Sequence, residues 1–134
     1  PSVPEIATRT GTQTLTNKTI SGGIHTGVID QTGSVRSGVT AVAALDIDCT
    51  AGNYFTKTIA ANSTFTFSGV PASRAYGFTL ELTHTSGTVT WPASVVWPTG
   101  TAPTLTTSKV HLFFFVTDDG GTKWRGGSSV NYES

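Results

Sequence analysis

The sequence predicts an all-β protein in which an extended N-terminal arm, residues 1–42, precedes an antiparallel β-sandwich or jelly-roll-like domain, residues 43–134. Three observations lead to this fold class. Threonine occupies every second position from residue 8 to residue 16, all thirteen aromatic residues lie beyond residue 43, and about eight strand-like segments follow at spacings of about ten residues. The helix-compatible residues 41–44 are too few to form a helix on their own.

The arm shows alternation without the means to build a core. The threonines of the alternating row are Thr8, Thr10, Thr12, Thr14 and Thr16. An extended chain places their hydroxyls on one face, and β-branched residues favour that conformation. Neither face carries enough apolar surface to fold by itself. We therefore expect other chains to order the arm, with Leu15 and Ile20 as its apolar anchors and the hydroxyl row as a polar seam.

The domain is predicted from alternating apolar and polar residues. Strands are expected at residues 45–49, 54–59, 63–68, 76–83, 88–91, 110–116 and 122–126. Proline follows both Trp91 and Trp97 and cannot donate to a strand ladder, which places these tryptophans at strand ends or sheet edges.

The most apolar strand is the segment 110–116, in which only His111 is polar. Such a segment is typical of a central strand covered on both faces. Residues 118–121, Asp-Asp-Gly-Gly, predict the hairpin turn that leads to its partner strand. Trp124 alternates with charged neighbours in that partner and is expected in the core.

Composition limits the classes of partner. The net charge is zero and charged residues make up 12% of the chain, about half the usual share. We therefore expect no nucleic-acid partner, and no apolar run is long enough to predict a membrane-spanning segment. The single cysteine, Cys49, is expected to be a small buried hydrophobe on a strand.

Residues that carry chemistry are few and show no motif spacing. His25, His84 and His111 match no metal-binding pattern, and His111 is expected to be either buried and hydrogen-bonded or an inter-subunit contact. Asp46 and Asp48 share one face of a predicted strand, where two carboxylates suit a solvated surface, a cation or an acid–base pair. We expect no catalytic residue, no cofactor and no metal ion.

Two blocks carry a resemblance. Residues 12–20, Thr-Gln-Thr-Leu-Thr-Asn-Lys-Thr-Ile, resemble a TLTNKTI segment found before the C-terminal domains of many tailed-phage fibre and virion-surface proteins. The order of landmarks in the rest of the chain is similar to a β-domain common in phage structural proteins. These landmarks are residues 44–46, 52–55, 63–67, 76–80, 89–92, 97–98, 102–106 and 118–124. The resemblance implies a virion-surface protein, a homotrimer, without a catalytic motif.

Two functions follow from the resemblance. The chain lacks the shaft and the attachment domain of long fibres, which favours a homotrimeric capsid decoration (cement) protein whose arm binds the major capsid protein and stabilises the shell. The alternative is the receptor-binding tip of a tail or head fibre, with the arm at the end of a fibre shaft. In that case Trp91, Trp97 and Tyr132 would stack on host surface glycan. A glycan-cleaving enzyme needs a carboxylate pair in a cleft, and the few acidic residues offer no convincing one.

Overall fold

The computed structural model describes Thr14, Thr16, Asn17 and residues 19–134, and the chain divides into two compact units, Pro1–Ser34 and Val35–Ser134. In the first unit the described residues form neither strand nor helix, and all of them are exposed. The second unit contains ten strands and one short 3₁₀ turn, Pro98–Gly100, which confirms the all-β class. None of the described residues belongs to a helix long and apolar enough to cross a membrane.

The ten strands cover most of the second unit. They are β1 (Val39–Ala41), β2 (Asp46–Asp48), β3 (Tyr54–Ala60), β4 (Ser63–Thr64), β5 (Thr66–Ser68), β6 (Tyr76–Ser86), β7 (Val89–Thr90), β8 (Val95–Val96), β9 (Lys109–Thr117) and β10 (Trp124–Tyr132). Six of them form one sheet in the order β1-β3-β6-β9-β10-β8. The other four form two small sheets, β2 with β5 and β4 with β7. A strand lies within each predicted segment, but the predicted strand 63–68 is divided into β4 and β5, and the predicted strand 122–126 begins only at Trp124. The sequence did not predict β8, and β1 lies within residues that it assigned to the arm.

The expectation of an antiparallel domain is wrong for most strand pairs. Of the seven pairings among the described residues, only β6–β9 and β9–β10 are antiparallel, and the other five are parallel. The cause is the connections: a parallel pair needs a crossover of a dozen or more residues. Residues 42–53 join β1 to β3 and carry β2, and residues 61–75 join β3 to β6 and carry β4 and β5. These crossovers supply both strands of the β2–β5 sheet and one strand of the β4–β7 sheet, in place of hairpins.

The core lies between one face of the large sheet and the small sheets. Ile47 of β2 and Phe65, next to β4, are completely buried in the same cluster as the large-sheet residues. Phe78 of β6 lies at the centre of the aromatic packing, with its ring centroid 5.1 Å from those of Phe67 and Phe115. Edge-to-face and tilted ring pairs at these distances add to the stabilisation from apolar burial. This inner face holds the buried residues that the alternating pattern predicted.

The strand β9 is central, as its sequence predicted, but only one of its faces is covered within the described chain. His111, Phe113 and Phe115 point to the core and are at most 2% exposed. On the opposite face Phe114 is 46% exposed and Val116 is 48% exposed. The expectation of cover on both faces is therefore not met by residues 35–134. The small sheets pack on one side of the large sheet, and its other side has no second layer among residues 35–134.

Candidate functional site

The predicted assembly arm is described only in part. Thr8, Thr10, Thr12 and Leu15 lie outside the described residues, whereas Thr14, Thr16 and Ile20 are described and exposed. The hydroxyl row from Thr8 to Thr16 therefore stays a prediction, and so does the anchoring role of Leu15. Ile20 is 78% exposed and is available to a partner.

The first unit displays further aliphatic side chains beyond the predicted anchor. Ile24, Val28 and Ile29 are 73%, 89% and 67% exposed. Ile20, Ile24 and Ile29 line one concavity of about 510 Å³ together with three other residues, Gly22, Gly23 and His25. This surface is mainly apolar, its residues form no strand or helix, and it contains no buried acidic or basic side chain. It therefore suits contact with a partner.

The two tryptophans proposed for glycan contact lie on the core side of the large sheet. Trp97 is 9% exposed, and its centroid lies 5.7 Å from that of Trp91. Trp91 is half-buried and stacks on Phe65 at 5.3 Å with an angle of 17° between the rings. The packing therefore leaves part of Trp91 accessible, while the ring of Trp97 is largely used inside the domain.

Tyr132 is separated from them by the sheet itself. Its pairing with Val110 places it on the uncovered side of the sheet, where it is 46% exposed. Its hydroxyl lies 2.6 Å from the Oγ atom of Ser129. The structure thus brings Trp91 and Trp97 together and leaves Tyr132 apart, so the three aromatics do not form one stacking surface.

A small cavity borders Trp91 on the core side. It has a volume of about 210 Å³, and its lining includes His84, Trp91, Pro103 and Leu105. His84 is 3% exposed, and its Nε2 atom lies 2.7 Å from the carbonyl oxygen of Gly87. Since a carbonyl only accepts, Nε2 carries a proton, and the buried Nδ1 atom has no hydrogen-bond partner among the residues that the structure describes. The burial of His84 was not predicted from the sequence, although His84 continues the alternation of Leu80 and Leu82 toward the core.

His111 is the second buried histidine, with its ring centroid 5.5 Å from that of His84. The backbone N–H of Asn131 donates to its Nδ1 atom over 3.0 Å, so Nε2 carries the proton and donates to the carbonyl of Thr106 over 3.1 Å. Burial lowers the pKa of His111 below its usual value of 6.5. Of the two predicted environments, the chain itself provides the buried, hydrogen-bonded one, which ties the loop before β9 to the end of β10.

The carboxylates are held by local hydrogen bonds on the surface. Asp46 accepts from the hydroxyl of Thr66 over 2.7 Å, and both Asp46 and Asp48 are exposed. The Thr50 hydroxyl, and then its backbone N–H, hold the pKa of Asp48 below its usual value of 3.8. An acid with a lowered pKa is a poor general acid at neutral pH. The plain interpretation of these two residues, a solvated face, accounts for their geometry.

Cys49 and Asp119, two further groups with reactive potential, are held by burial or by hydrogen bonds within the domain. Cys49 is 5% exposed, and burial raises the pKa of its thiol to about 11, which keeps it protonated at neutral pH. In the turn after β9, Asp119 accepts from the backbone N–H of Lys123 over 3.0 Å and from the hydroxyl of Thr117 over 2.9 Å. Among the residues that the structure describes, no three side chains of His, Cys, Asp or Glu are grouped so that they can hold a metal ion.

The described part of the chain presents three surfaces that a partner could contact. The exposed aliphatic arm, the cavity beside Trp91 and the uncovered sheet face are its three candidates for binding. No protein-family model, no curated protein and no solved structure matches this chain.

Proposed function

We propose that this chain is a non-enzymatic structural protein of a bacteriophage virion, a homotrimeric capsid decoration (cement) protein located at the virion surface. The observation that carries the proposal is the first unit, where Ile20, Ile24, Val28 and Ile29 are all at least 67% exposed and the described residues form no strand or helix. The resemblance of residues 12–20 to a phage virion segment points to the virion as the place where such an arm is covered.

The arm has the physical properties of a segment that folds onto other subunits. Fully burying one isoleucine or valine side chain contributes about 1.5–3 kcal/mol, and an extended chain adds backbone hydrogen bonds at a sheet edge. Ordering the arm costs conformational entropy, which lowers the affinity that a single arm can reach. Three arms of one trimer bind as a unit, so the effective concentration of the second and third arms raises the overall affinity.

The residues 35–134 supply the projecting body of the proposed trimer. The large sheet and the small sheets that pack on its inner face support this proposal of a layered, sandwich-like body. Its buried groups serve packing: His84 and His111 are hydrogen-bonded to backbone carbonyls, and the Cys49 thiol is protonated. A body of this kind adds area and cross-links between capsid subunits and needs no chemistry.

The proposal is tested by binding of the purified chain to phage capsids that lack their decoration protein. Co-sedimentation of the full chain is compared with that of Ile24→Asp, Ile29→Asp and a variant that lacks residues 1–34. Val35→Asp is the matched control, because Val35 is 82% exposed and the structure places it in the second unit, although the sequence assigned it to the arm of residues 1–42. We expect the three arm variants to lose binding and the control to keep it. Unchanged binding after deletion of the arm contradicts the proposal.

A second candidate, the receptor-binding tip of a fibre, is favoured by one observation: the accessible part of Trp91 borders the cavity of about 210 Å³. An apolar sugar face that stacks on this ring is the ligand that such a function requires. Glycan-array binding by the full chain tests it. Ala102→Trp, at an exposed lining position, should fill the cavity and abolish binding, while Tyr132→Ala on the other side of the sheet should not. A chain that binds no glycan rules this candidate out.

A further inference from the structure

The uncovered side of the large sheet, here called the outer face, is centred on Leu112, Phe114 and Val116 of β9. Phe114 and Val116 are 46% and 48% exposed, and Leu112 is half-buried between its neighbours. Val96 on the edge strand β8 belongs to the same face and is 47% exposed. A half-exposed phenylalanine in the middle of a six-stranded sheet is unusual for a chain that acts alone, because the centre of a sheet is where a second layer normally packs.

Strand register arranges the outer face in rows around Phe114. One row contains Thr79, Phe114 and Gly127, which lie side by side on β6, β9 and β10. The row on one side places Arg125 next to Val116, and the row on the other side places Glu81 next to Leu112.

Glu81 and Arg125 are therefore diagonal neighbours of Phe114 in opposite directions. Of the residues that the register places on this face, they are the only two with a charge, one on each flanking strand of β9. Tyr54 donates to Glu81 over 2.6 Å, which holds the carboxylate at the surface, and Arg125 is exposed. An apolar centre with an acid on one side and a base on the other is complementary to a second copy of itself.

We propose that other copies of this chain cover the outer face, with Phe114 at the centre of the contact and Glu81 of one copy against Arg125 of the next. The contact is heterologous: the β6 side of one copy meets the β10 side of its neighbour, and three such contacts close a ring. The inference rests on the trimer of the proposed function and assigns the surface that forms it. Strand geometry puts Glu81 and Arg125 about 10 Å apart across the sheet and about 14 Å apart along it. For Glu81 of one copy and Arg125 of the next to lie at the same level along the three-fold axis, the strands must be inclined by roughly 55° to that axis.

The size of the outer face suits this role. The four long strands, at about 4.8 Å spacing and about 3.4 Å per residue, present roughly 500–700 Å² of sheet, against about 800 Å² per partner in a standard interface. The rest of the face consists mainly of neutral threonine, serine and glycine, and the chain has no net charge, so copies do not repel one another. The central ring and the opposed charges give the contact its position and its direction.

The oligomeric state of the full chain tests the inference, measured by light scattering and native mass spectrometry over a range of concentrations. Phe114→Asp should raise the concentration for half-assembly by about 30-fold or more, the effect of removing a central contact residue. Val35→Asp adds the same charge at an exposed valine outside the large sheet and should assemble as the natural chain does.

A charge exchange keeps the test decisive if Phe114→Asp fails to fold. Glu81→Arg and Arg125→Glu should each weaken assembly, and the double exchange should restore it, since only an inter-copy pair of these residues is rescued in this way. Full assembly of Phe114→Asp, or no rescue by the double exchange, overturns the inference.

The outcomes also separate this inference from the proposed function. A trimer that depends on Phe114 but binds no capsid leaves the inference standing and refutes the decoration role. A chain that binds capsids but assembles independently of Phe114 supports the decoration role and refutes the inference. If the outer face is covered instead by the arm of the same chain, the natural chain is monomeric at all concentrations, and the inference fails together with the trimer.

Discussion

Two adjacent glycines on β10 lie on opposite faces of the sheet and offer a matched pair of substitutions. A Cβ atom on Gly126 would lie 2.9 Å from Cζ3, 3.0 Å from Cε3 and 3.1 Å from Cη2 of Trp97. A Cβ atom on Gly127 would meet nothing within 4 Å. Neither glycine has a positive φ, so alanine suits both backbones. The two variants therefore differ in packing and share their chemistry.

The expected effects have opposite signs. Alanine in place of glycine lowers the entropy of the unfolded chain, which stabilises by about 0.4–1 kcal/mol where the native backbone accepts it. Gly127→Ala should show this gain. In Gly126→Ala the Trp97 ring must move, yet it is buried against Trp91, Phe113 and Phe115. Overpacking of this kind costs about 1–3 kcal/mol, so the net effect is destabilising.

The assay is urea unfolding followed by tryptophan fluorescence, repeated at several protein concentrations so that any assembly is separated from folding. With an m value of about 1–3 kcal/mol/M in urea, each kcal/mol shifts the unfolding midpoint by about 0.3–1 M, which makes both effects measurable. The reasoning is refuted if Gly126→Ala is as stable as Gly127→Ala, because the ring of Trp97 would then have room that the packing denies it.

Three further predictions concern single positions. Gly87 has a φ of +95°, and a Cβ there would lie 2.1 Å from the carbonyl carbon of Ala61, so Gly87→Ala should cost about 3 kcal/mol or more in the same unfolding assay. Gly38→Ala is its control: a Cβ there meets nothing within 4 Å, so the variant should stabilise slightly, as Gly127→Ala does. Because the pKa of His111 is lower in the folded chain, the unfolded chain takes up a proton at a higher pH than the folded chain does. The free energy of unfolding should therefore fall as the pH drops below about 6.5, by up to about 1.4 kcal/mol per pH unit. His111→Gln should flatten this slope, and an unchanged slope contradicts the assignment. The Lys123 backbone N–H, and then the Thr117 hydroxyl, lower the pKa of Asp119. The contribution of Asp119 to stability is therefore complete above pH 3.8, its usual pKa, and is lost as the pH falls through the lower pKa of the folded chain. Asp119→Asn should reduce this acid-induced loss of stability in thermal melts, and an identical acid profile argues against these hydrogen bonds.

The sequence predicted the inner face of β6 well. Tyr76, Phe78, Leu80 and Leu82 alternate with polar residues, and the structure buries the last three of them within the core. The same pattern continues to His84, whose burial the alternation would have indicated if the strand had been extended by one residue pair. Trp124 also lies in the core as expected, at 1% exposure. In each case the reason is local: a strand turns alternate side chains to opposite faces whatever it pairs with.

The candidate surfaces were less accessible to sequence reasoning. Trp91 and Trp97 precede prolines and were expected at strand ends, which is compatible with either burial or exposure. Their position beside the core follows from the packing of Phe65 and Gly126 against them, two contacts between residues far apart in the chain. The exposure of Phe114 has the same origin, because the apolar character of β9 does not say whether its own chain or another copy covers each face.

What the sequence by itself determined is the all-β class, the positions of most strands and the residues that alternate toward a core. These properties depend on backbone geometry and on the solvation of neighbouring side chains, which short segments already contain. Only the tertiary structure decided the parallel pairing of β1, β3 and β6, the pairing of the short strands into small sheets and the side of the large sheet that stays uncovered. The physical reason is that pairing direction and layer order depend on where each connection returns, and a connection is placed by contacts between residues distant in the chain.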